Sequence, residues 1–429
     1  MEFIMVKNYR KRIADEILSR KLAGKGAVLI EGPKWCGKTT TAEQIAGSVL
    51  YMDNPDQIEQ NMSMAEMNVR QLLKGETPRL LDEWQIAPKL WDAVRFEVDH
   101  REDLGQFILT GSAVPVSLDA VTHSGTGRFA WLKMRTMSLY ESGDSSGDVS
   151  LRDLFRSPHE ISGESSLDIE RLAFLTCRGG WPRSVSLSSS IALDQAVDYY
   201  DAVVNTDVFR VDKVFRNPEL VKSLMRSYAR HQGTQVSMSE IGRDIQANHD
   251  LSMCGDTISN YINVLKKIFV IEDVPAWNPN LRSKIAIRTM HTRYFVDPSI
   301  ATAALGIGPQ DLVSDLNTFG FLFETLCMRD LRIFAESLDG QVYHYRDKSG
   351  LECDAVVHLR NGSYGLIEFK LGGETRIREG IANLLKLANA IDTTKMKKPS
   401  FKMVLTGVGK YACYRKEDVV VVPIGCLRN

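Results

Sequence analysis

The sequence has 429 residues, of which 44% are hydrophobic and 25% charged, which is enough material for two or three globular domains. Its formal net charge is only -1, so non-specific nucleic-acid binding through bulk positive charge is excluded. The seven cysteines form no CxxC pair, which predicts reduced thiols and no structural zinc site. No apolar stretch approaches the roughly 18 residues that span a bilayer, so we expect a cytoplasmic protein without a membrane partner.

The N-terminal third of the chain alternates predicted helices and strands. Residues 11–22 place apolar side chains on one helical face, and after two glycines the apolar run 27–30 predicts a buried strand. Two further short strands are predicted at 80–81 and 107–109, with helical stretches between them. This alternation predicts an α/β domain whose parallel sheet is covered by helices.

Beyond this sheet the composition and the hydrophobic pattern of the sequence change several times. Residues 142–147 and 157–166 are rich in Ser, Gly and Pro, which is typical of a surface excursion, so we place the end of the first sheet near them. Residues 168–232 are predicted to be mostly helical, and residues 216–300 alternate short helices with a hydrophobic strand pair. A helix at 316–337 and strands rich in Val, Tyr and Phe follow.

A phosphate-binding loop directly follows the first strand. Residues 32–40 read GPKWCGKTT, fit the pattern GxxxxGK[ST] and open a helix, a context that favours an ATP site over a structural turn. Main-chain N–H groups would surround the phosphate oxygens, Lys38 would contact the β and γ phosphates, and the Thr39 hydroxyl would ligate Mg²⁺. The predicted nucleotide-binding residues of the loop are Gly32, Pro33, Lys34, Trp35, Cys36, Gly37, Lys38, Thr39 and Thr40.

Two acids end the second predicted strand, as a phosphate-binding loop requires. In the segment Arg79-Leu80-Leu81-Asp82-Glu83, Asp82 would orient the Mg²⁺ shell and Glu83 would polarise the attacking water. The alternative is that both are solvated acids that cap the following helix.

Two more residues are candidates for the same site. Ser112 follows the third strand, where its hydroxyl would sense the γ phosphate, although a turn or helix-capping role is an equal alternative. Arg128 is the candidate arginine that neutralises transition-state charge, in cis or in a neighbouring subunit. For Arg128, the alternative is an ordinary surface arginine.

The middle of the chain has the pattern of a helix-turn-helix followed by a β-wing. Residues 236–242 predict a capped helix start, and residues 256–265 predict a second amphipathic helix after a loop. A local excess of positive charge would meet a DNA backbone, although a packing module that does not touch DNA is the alternative. The basic residues concerned are Lys266, Lys267, Arg282, Lys284, Arg288 and Arg293.

A second acidic constellation lies near the C-terminus. Glu368 and Lys370 lie two apart on one predicted strand, so they share a face towards the point where Asp354 ends the preceding strand. Asp354 and Glu368 would hold a second Mg²⁺, and Lys370 would orient or deprotonate water for attack on a phosphodiester. Glu324, on a preceding helix, completes the set. The alternative is a pair of salt-bridging surface residues.

Five segments together resemble a known family. They are GPKWCGKTT, LLDEWQIAPKLW, FILTGSA, GRFAWLKMRTMSLYE and the GGWP box at residues 179–182. This set resembles a prokaryotic family of AAA+ ATPases whose members usually carry a C-terminal domain of unknown function. The resemblance extends over nearly the full chain.

The resemblance implies an α/β multidomain protein. Its parts would be a P-loop AAA+ core with a parallel sheet at 1–145, a helical lid at 146–215, a winged-helix module at 216–305, and an α/β domain similar to PD-(D/E)XK nucleases at 306–429. In related ATPases a GxP element from the lid side contacts the nucleotide, which would place Pro182 near the adenine. A glycine–proline turn between helices is the alternative.

The expected function is therefore ATP hydrolysis with Mg²⁺ that controls a nuclease-like C-terminal domain acting on DNA. The alternative is a nucleotide-dependent switch that binds a protein partner and cleaves nothing. Since AAA+ relatives often form rings or dimers, assembly of this chain into a homo-oligomer is a further alternative.

Overall fold

The computed structural model describes residues 9–101, 103–111, 125–211, 214, 216–249, 253–279 and 289–429. The chain divides into two compact units. The first comprises Met1–Arg135, Asp207–Phe215 and Lys267–Phe269, and the second comprises Thr136–Thr206, Arg216–Lys266 and Val270–Asn429. None of the described helices is long and apolar enough to cross a membrane.

The helices and strands have the following bounds in chain order. The α-helices are α1 (Ile13–Leu22), α2 (Lys38–Glu43), α3 (Ile58–Asn68), α4 (Lys89–Arg101), α5 (Leu139–Ser142), α6 (Leu151–Leu154), α7 (Ile169–Arg178), α8 (Pro182–Val185), α9 (Ser189–Ala202), α10 (Val208–Arg210), α11 (Pro218–Arg230), α12 (Met238–His249), α13 (Gly255–Lys267), α14 (Pro298–Leu305), α15 (Pro309–Ser314), α16 (Leu316–Ser337) and α17 (Glu374–Ala390). The strands are β1 (Ala27–Glu31), β2 (Ser48–Tyr51), β3 (Arg79–Asp82), β4 (Phe107–Gly111), β5 (Phe129–Lys133), β6 (Val149–Ser150), β7 (Gly163–Glu164), β8 (Gly340–Arg346), β9 (Glu352–Leu359), β10 (Tyr364–Lys370), β11 (Phe401–Thr406), β12 (Tyr411–Arg415), β13 (Val419–Pro423) and β14 (Leu427–Arg428).

The first unit is built on a five-stranded parallel sheet. The strand order is β2-β3-β4-β1-β5, and every neighbouring pair is parallel. The central strands β1 and β4 are apolar and buried on both faces, as strands of a helix-covered parallel sheet are. This arrangement confirms the predicted parallel α/β sheet, and it brings the carboxyl ends of β1, β3 and β4 to one edge.

Aromatic packing fixes the segment that follows β3 in the first unit. The Trp91 ring of α4 stacks on Phe129 with ring centroids 4.0 Å apart, and Trp84 lies 5.2 Å from Trp91. All three side chains are buried, and aromatic pairs of this kind stabilise beyond the area that they bury. The turn that carries the acids after β3 is therefore anchored in the core.

The second unit contains a seven-stranded mixed sheet. Its order is β7-β12-β13-β11-β10-β9-β8, with β10, β11 and β13 parallel and the flanking strands antiparallel. Helix α16 packs against β8 and β9, and α17 packs against β10 and β11. The apolar face of α17, with Ile381 and Leu384, is buried against Leu366 and Val404. Strand β10 is in contact with both helices.

The middle of the second unit consists of helices followed by short antiparallel bridges. Helices α11 and α12 pack together, and α13 begins at Gly255. Two isolated bridges then join Ile271 to Phe295 and Val274 to Thr292. A winged-helix module in this region stays a prediction.

Candidate functional site

The loop between β1 and α2 is shaped around the ammonium group of Lys38. A Cβ at Gly32 would lie 2.1 Å from the main-chain oxygen of Met134, so only glycine fits at the start of the loop. Gly37 precedes α2 with a φ of 99°, in the left-handed region. Lys38 is buried, and its Nζ donates to the oxygens of Gly32 at 2.9 Å and Pro33 at 2.8 Å. The lysine predicted to contact phosphate thus lies within the loop.

A cluster of hydroxyl and carboxylate groups adjoins the loop. The Thr39 Oγ1 donates to Asp82 Oδ1 over 2.8 Å, and the Thr110 hydroxyl donates to the same oxygen. Burial raises the pKa of Asp82, and the two hydroxyl bonds oppose that rise. Thr40 continues α2. A threonine hydroxyl beside a strand-end aspartate is the ligand set that P-loop ATPases use for Mg²⁺, so these residues fit that ion.

Glu83 is held by a neighbouring amide. It follows β3 in the left-handed region, with a φ of 53°, and Gln85 Nε2 donates to its Oε2. The Glu83 side chain makes no capping hydrogen bond to the helical turn Trp84–Ile86, which was the alternative role for this acid. The Gln85 amide therefore orients the carboxylate predicted to polarise water.

The other loop side chains have partners away from the phosphate position. Lys34 forms an ion pair with Asp207 at 2.6 Å. Cys36 is fully buried with its Sγ 3.7 Å from a main-chain oxygen, whereas Trp35 is 55% exposed. The nucleotide contacts of these three residues stay predictions. Ser112 lies outside the described residues.

The structure contradicts one role predicted for Arg128. In the parallel pair of β1 and β5, Ala27 lies opposite Phe129, so Arg128 lies at the amino edge of the sheet. The phosphate-binding loop leaves the opposite edge, about 13 Å farther along the strand. There Arg128 forms an ion pair with Asp99 at 2.7 Å. The prediction that Arg128 acts in cis is wrong, because strand direction places it at the far edge. A role in trans stays a prediction.

The GGWP box packs within the second unit. The Gly180 N–H donates to Asp297 Oδ2 at 2.9 Å, and the buried Trp181 Nε1 donates to Ser299 Oγ at 2.9 Å. Pro182 begins α8. These bonds tie the box to the start of α14. The adenine contact of Pro182 stays a prediction.

The C-terminal sheet brings three predicted residues together. In the antiparallel pair of β9 and β10, Val356 lies opposite Leu366, and this register puts Asp354 and Glu368 on the same face. Lys370 Nζ lies 2.8 Å from Glu368 Oε2 and 3.6 Å from Asp354 Oδ2. The ammonium group therefore lies between the two carboxylates.

A cavity of about 970 Å³ opens onto this cluster. Glu324 of α16 lines it, so the fourth predicted residue faces the same space. Asn383 of α17 fixes one of the acids, since its Nδ2 donates to Glu368 Oε1 at 2.8 Å and to the main-chain oxygen of Glu352 at 2.6 Å. Further side chains in the lining are Phe321, Arg376 and Glu379.

The electrostatics of the cavity keep Lys370 charged. Burial raises the pKa of Glu368 to about 8, and Asp354 adds to that rise while Lys370 opposes it. Burial, and then Asp354, also raise the pKa of Glu324 well above its usual range. Burial alone would lower the pKa of Lys370, but Asp354 and Glu368 raise it overall. An ammonium of this kind orients water better than it deprotonates it.

The second predicted Mg²⁺ site meets its requirements only in part. Within the ranges that the structure describes, no three His, Cys, Asp or Glu side chains are grouped as ligands of one metal ion. Asp354 and Glu368 are suitable ligands, because Mg²⁺ is often bound by one or two carboxylates and several waters. The ammonium of Lys370, however, takes the position between them. A metal ion there would have to displace it.

Two basic residues predicted to face DNA form ion pairs with a buried acid. The Asp273 side chain is only 1% exposed and lies 2.7 Å from Lys266 Nζ and 2.8 Å from Arg293 Nη1. The Tyr228 hydroxyl donates to Asp273 as well. A count of charges does not reveal this buried partner, and a DNA contact of Lys266 and Arg293 stays a prediction. Arg282, Lys284 and Arg288 lie outside the described residues.

Sequence reasoning missed several residues that hold these side chains. Gln85 had a local signal, because it follows Glu83 by two residues in the same segment. The others reach the sites from distant elements, so no local spacing identifies them. They are Tyr9, Arg12, Asp207 and Asn383.

Known protein families cover most of the chain. Residues 24–142 match the family described as AAA domain, residues 169–311 match a domain of unknown function (DUF8612), and residues 319–427 match a domain of unknown function (DUF4143). The first match includes the phosphate-binding loop and both acids after β3. It supports the predicted P-loop domain of the AAA type at these residues.

Individual relatives are distant. Uncharacterized proteins of Mycobacterium tuberculosis and Mycobacterium bovis are each 22% identical over 361 residues, which cover 83% of this chain and 73% of theirs. The Walker-type ATPase PABY2304 of Pyrococcus abyssi is 13% identical with a TM-score of 0.43, over 71% of this chain and 99% of that one. AMPPCP-bound DnaA from Aquifex aeolicus is 16% identical with a TM-score of 0.29, over 61% of this chain and 89% of that one.

Proposed function

We propose that this chain, with its AAA domain at residues 24–142, hydrolyses ATP with Mg²⁺ and that the nucleotide state controls the C-terminal cavity. The observation that carries the first part is the hydrogen bond of 2.8 Å between the Thr39 hydroxyl and the Asp82 carboxylate, next to the buried Lys38. These groups supply the positive charge and the oxygen ligands that phosphoryl transfer needs.

Each residue has a distinct part in hydrolysis. Lys38 leaves the two loop oxygens that it now contacts and binds the β and γ phosphates. Thr39 and Asp82 would hold Mg²⁺, which would supply positive charge to the phosphates. Glu83, oriented by Gln85, polarises the water that attacks the γ phosphate and accepts its proton.

Replacement of Asp82 tests this function. We expect Asp82→Asn to lower the rate of phosphate release by about a hundredfold or more while ATP still binds, because the carboxylate that orients the metal is lost. Asp56→Asn, at an exposed position of the same unit, is the matched control and should leave the rate unchanged. A rate for Asp82→Asn within twofold of the wild type would contradict the proposal.

The second part of the proposal is a nuclease activity of the cavity on DNA. It is supported by Asp354 and Glu368, whose carboxylates lie 3.6 and 2.8 Å from the Lys370 ammonium, and by a cavity large enough for a nucleotide-sized ligand. Glu368 and Asp354 would bind Mg²⁺, and Lys370 would orient the attacking water.

Cleavage of DNA tests the second part separately. Single- and double-stranded DNA is incubated with Mg²⁺ and ATP, and products are measured for the wild type, Glu368→Gln and the control Glu417→Gln, at an exposed position outside the cavity lining. We expect Glu368→Gln alone to abolish cleavage while ATP turnover is retained. No cleavage by the wild type, or cleavage that survives Glu368→Gln, would exclude the nuclease and leave the ATPase standing.

A specific observation favours a second candidate, a nucleotide-dependent switch that binds a protein partner. The Lys370 ammonium already occupies the position between Asp354 and Glu368, so it compensates the charge of these carboxylates without a metal ion. Such a switch would bind the same partner with ATP in the wild type and in Glu368→Gln, and would lose it in Lys38→Ala. Loss of the partner in Glu368→Gln would count against it.

A further inference from the structure

A buried arginine donates a hydrogen bond to the main chain of the phosphate-binding loop. Arg12 immediately precedes α1 and is only 3% exposed. Its Nη1 donates to the main-chain oxygen of Cys36 at 2.8 Å, and its Nη2 donates to that of Arg135 at 2.9 Å. One planar guanidinium therefore bridges the loop and the segment that follows β5. The roles assigned to the ATP site so far do not use this residue.

The bond to Cys36 sets the direction of the next N–H group. In a trans peptide the C=O and the following N–H point in opposite directions. With the Cys36 oxygen turned towards Arg12, the N–H of Gly37 points away from Arg12. In a phosphate-binding loop the N–H groups that face inward surround the anion. Gly37 also has a φ of 99°, which allows the chain to continue into α2 from this orientation.

The same N-terminal segment also holds α2. The Tyr9 hydroxyl donates to Asp15 Oδ1 at 2.6 Å and shares a hydrogen bond of 2.9 Å with Thr41 Oγ1. The other Asp15 oxygen accepts the main-chain N–H of Arg12 at 2.8 Å. Asp15 thus links a contact to the loop with a contact to the helix that the loop opens. This geometry restrains both the loop and the helix that it opens.

We infer that Arg12 is a positioning residue for nucleotide binding, which aims the peptide N–H of Gly37 at the phosphates of ATP. The inference rests on the proposed ATP site. A lysine cannot replace Arg12, because an ammonium lacks the rigid fork that reaches two carbonyl oxygens in one plane. The positive charge survives in Arg12→Lys, so that variant isolates the geometry from the charge.

Arg79 offers a matched control in the same unit. It begins β3 at the amino edge of the sheet, away from the loop. Its Nε donates to the Leu72 oxygen at 2.8 Å, and its Nη1 donates to Ser48 Oγ at 3.0 Å. Arg79→Lys therefore also breaks a two-point contact. It should lower stability by a similar amount without touching the phosphate position.

The test measures ligand affinity and stability side by side in the full chain. Dissociation constants for Mg-ATP and for inorganic tripolyphosphate, and the thermal midpoint without ligand, are measured for the wild type and both lysine variants. We expect Arg12→Lys to weaken both ligands by about tenfold or more, equivalent to about 1.4 kcal/mol. Arg79→Lys should stay within twofold of the wild type.

The outcomes separate the inference from the proposed ATP site. If the wild type binds ATP and Arg12→Lys binds it within twofold, the inference is overturned and the ATP site stands. Equal weakening by Arg79→Lys would also overturn it, since the effect would then follow stability. If the wild type binds no ATP, both the inference about Arg12 and the proposed ATP site are refuted. Should Arg12→Lys fail to fold, Arg12→Gln takes its place with the same expectation, because its amide keeps a single donor without the charge.

Discussion

Arg329 compensates two buried acids in the second unit, and its removal should be strongly destabilising. Its guanidinium lies 3.2 Å from Asp297 and 2.8 Å from Asp330, and each of the three side chains is at most 1% exposed. Arg329→Met retains a long apolar side chain but leaves both carboxylates without their cation. Breaking a buried ion pair costs about 3–5 kcal/mol, so we expect the free energy of unfolding to fall by about 4 kcal/mol.

The measurement is urea denaturation followed by circular dichroism, with hydrogen exchange at residues 326–335 to locate the change. Arg171→Met is the matched control, because Arg171 is 45% exposed and its partner Asp144 keeps a second ion pair with Arg178. The control should lose at most about 1 kcal/mol. The reasoning is refuted if Arg329→Met loses less than about 1 kcal/mol, or no more than the control.

Three further predictions concern both units. Glu83→Gln should lower ATP turnover by about a hundredfold with ATP affinity retained, and unchanged turnover would contradict its role as the base. Gly32→Ala should abolish ATP binding, because its Cβ would lie 2.1 Å from a main-chain oxygen; isothermal titration that shows normal affinity would contradict this. Burial raises the pKa of Asp330 to about 6. A carboxyl whose pKa is raised in the folded state contributes stability that is present below about pH 4 and lost as the pH rises through about 6. The urea midpoint of the wild type should therefore fall over this pH range relative to that of Asp330→Asn. Parallel pH profiles of the two midpoints would contradict this prediction.

The local motifs of the ATP site were predictable from the sequence because they are short and contiguous. Lys38 and Thr39 belong to one loop, and Asp82 and Glu83 end one apolar strand, so spacing along the chain carries the chemistry. Parallel strands then bring the two segments to one edge of the sheet. The same holds for Lys370 and its neighbours, where strand alternation predicts the shared face.

The remaining features depend on partners far away in sequence. Arg12 contacts Cys36, which lies 24 residues later in the chain, and Arg135, which lies 123 residues later. No periodicity in the sequence reveals either contact. Lys266 and Arg293 count as positive charge in the sequence, whereas Asp273 binds both in the fold. The position of Arg128 could have been predicted from the sequence, because a residue that precedes a parallel strand lies at the amino edge of the sheet.

ATP turnover with Mg²⁺ by the wild type and Lys38→Ala, with and without single- and double-stranded DNA, tests the central claim most directly. We predict phosphate release by the wild type that falls by about a hundredfold or more in Lys38→Ala, because the lysine is the cation that meets the transferred phosphate. Stimulation by DNA would support the nuclease proposal, and indifference to DNA would favour the protein-partner switch. Equal turnover by Lys38→Ala and the wild type, or none by either, would contradict the account of this chain as an ATPase.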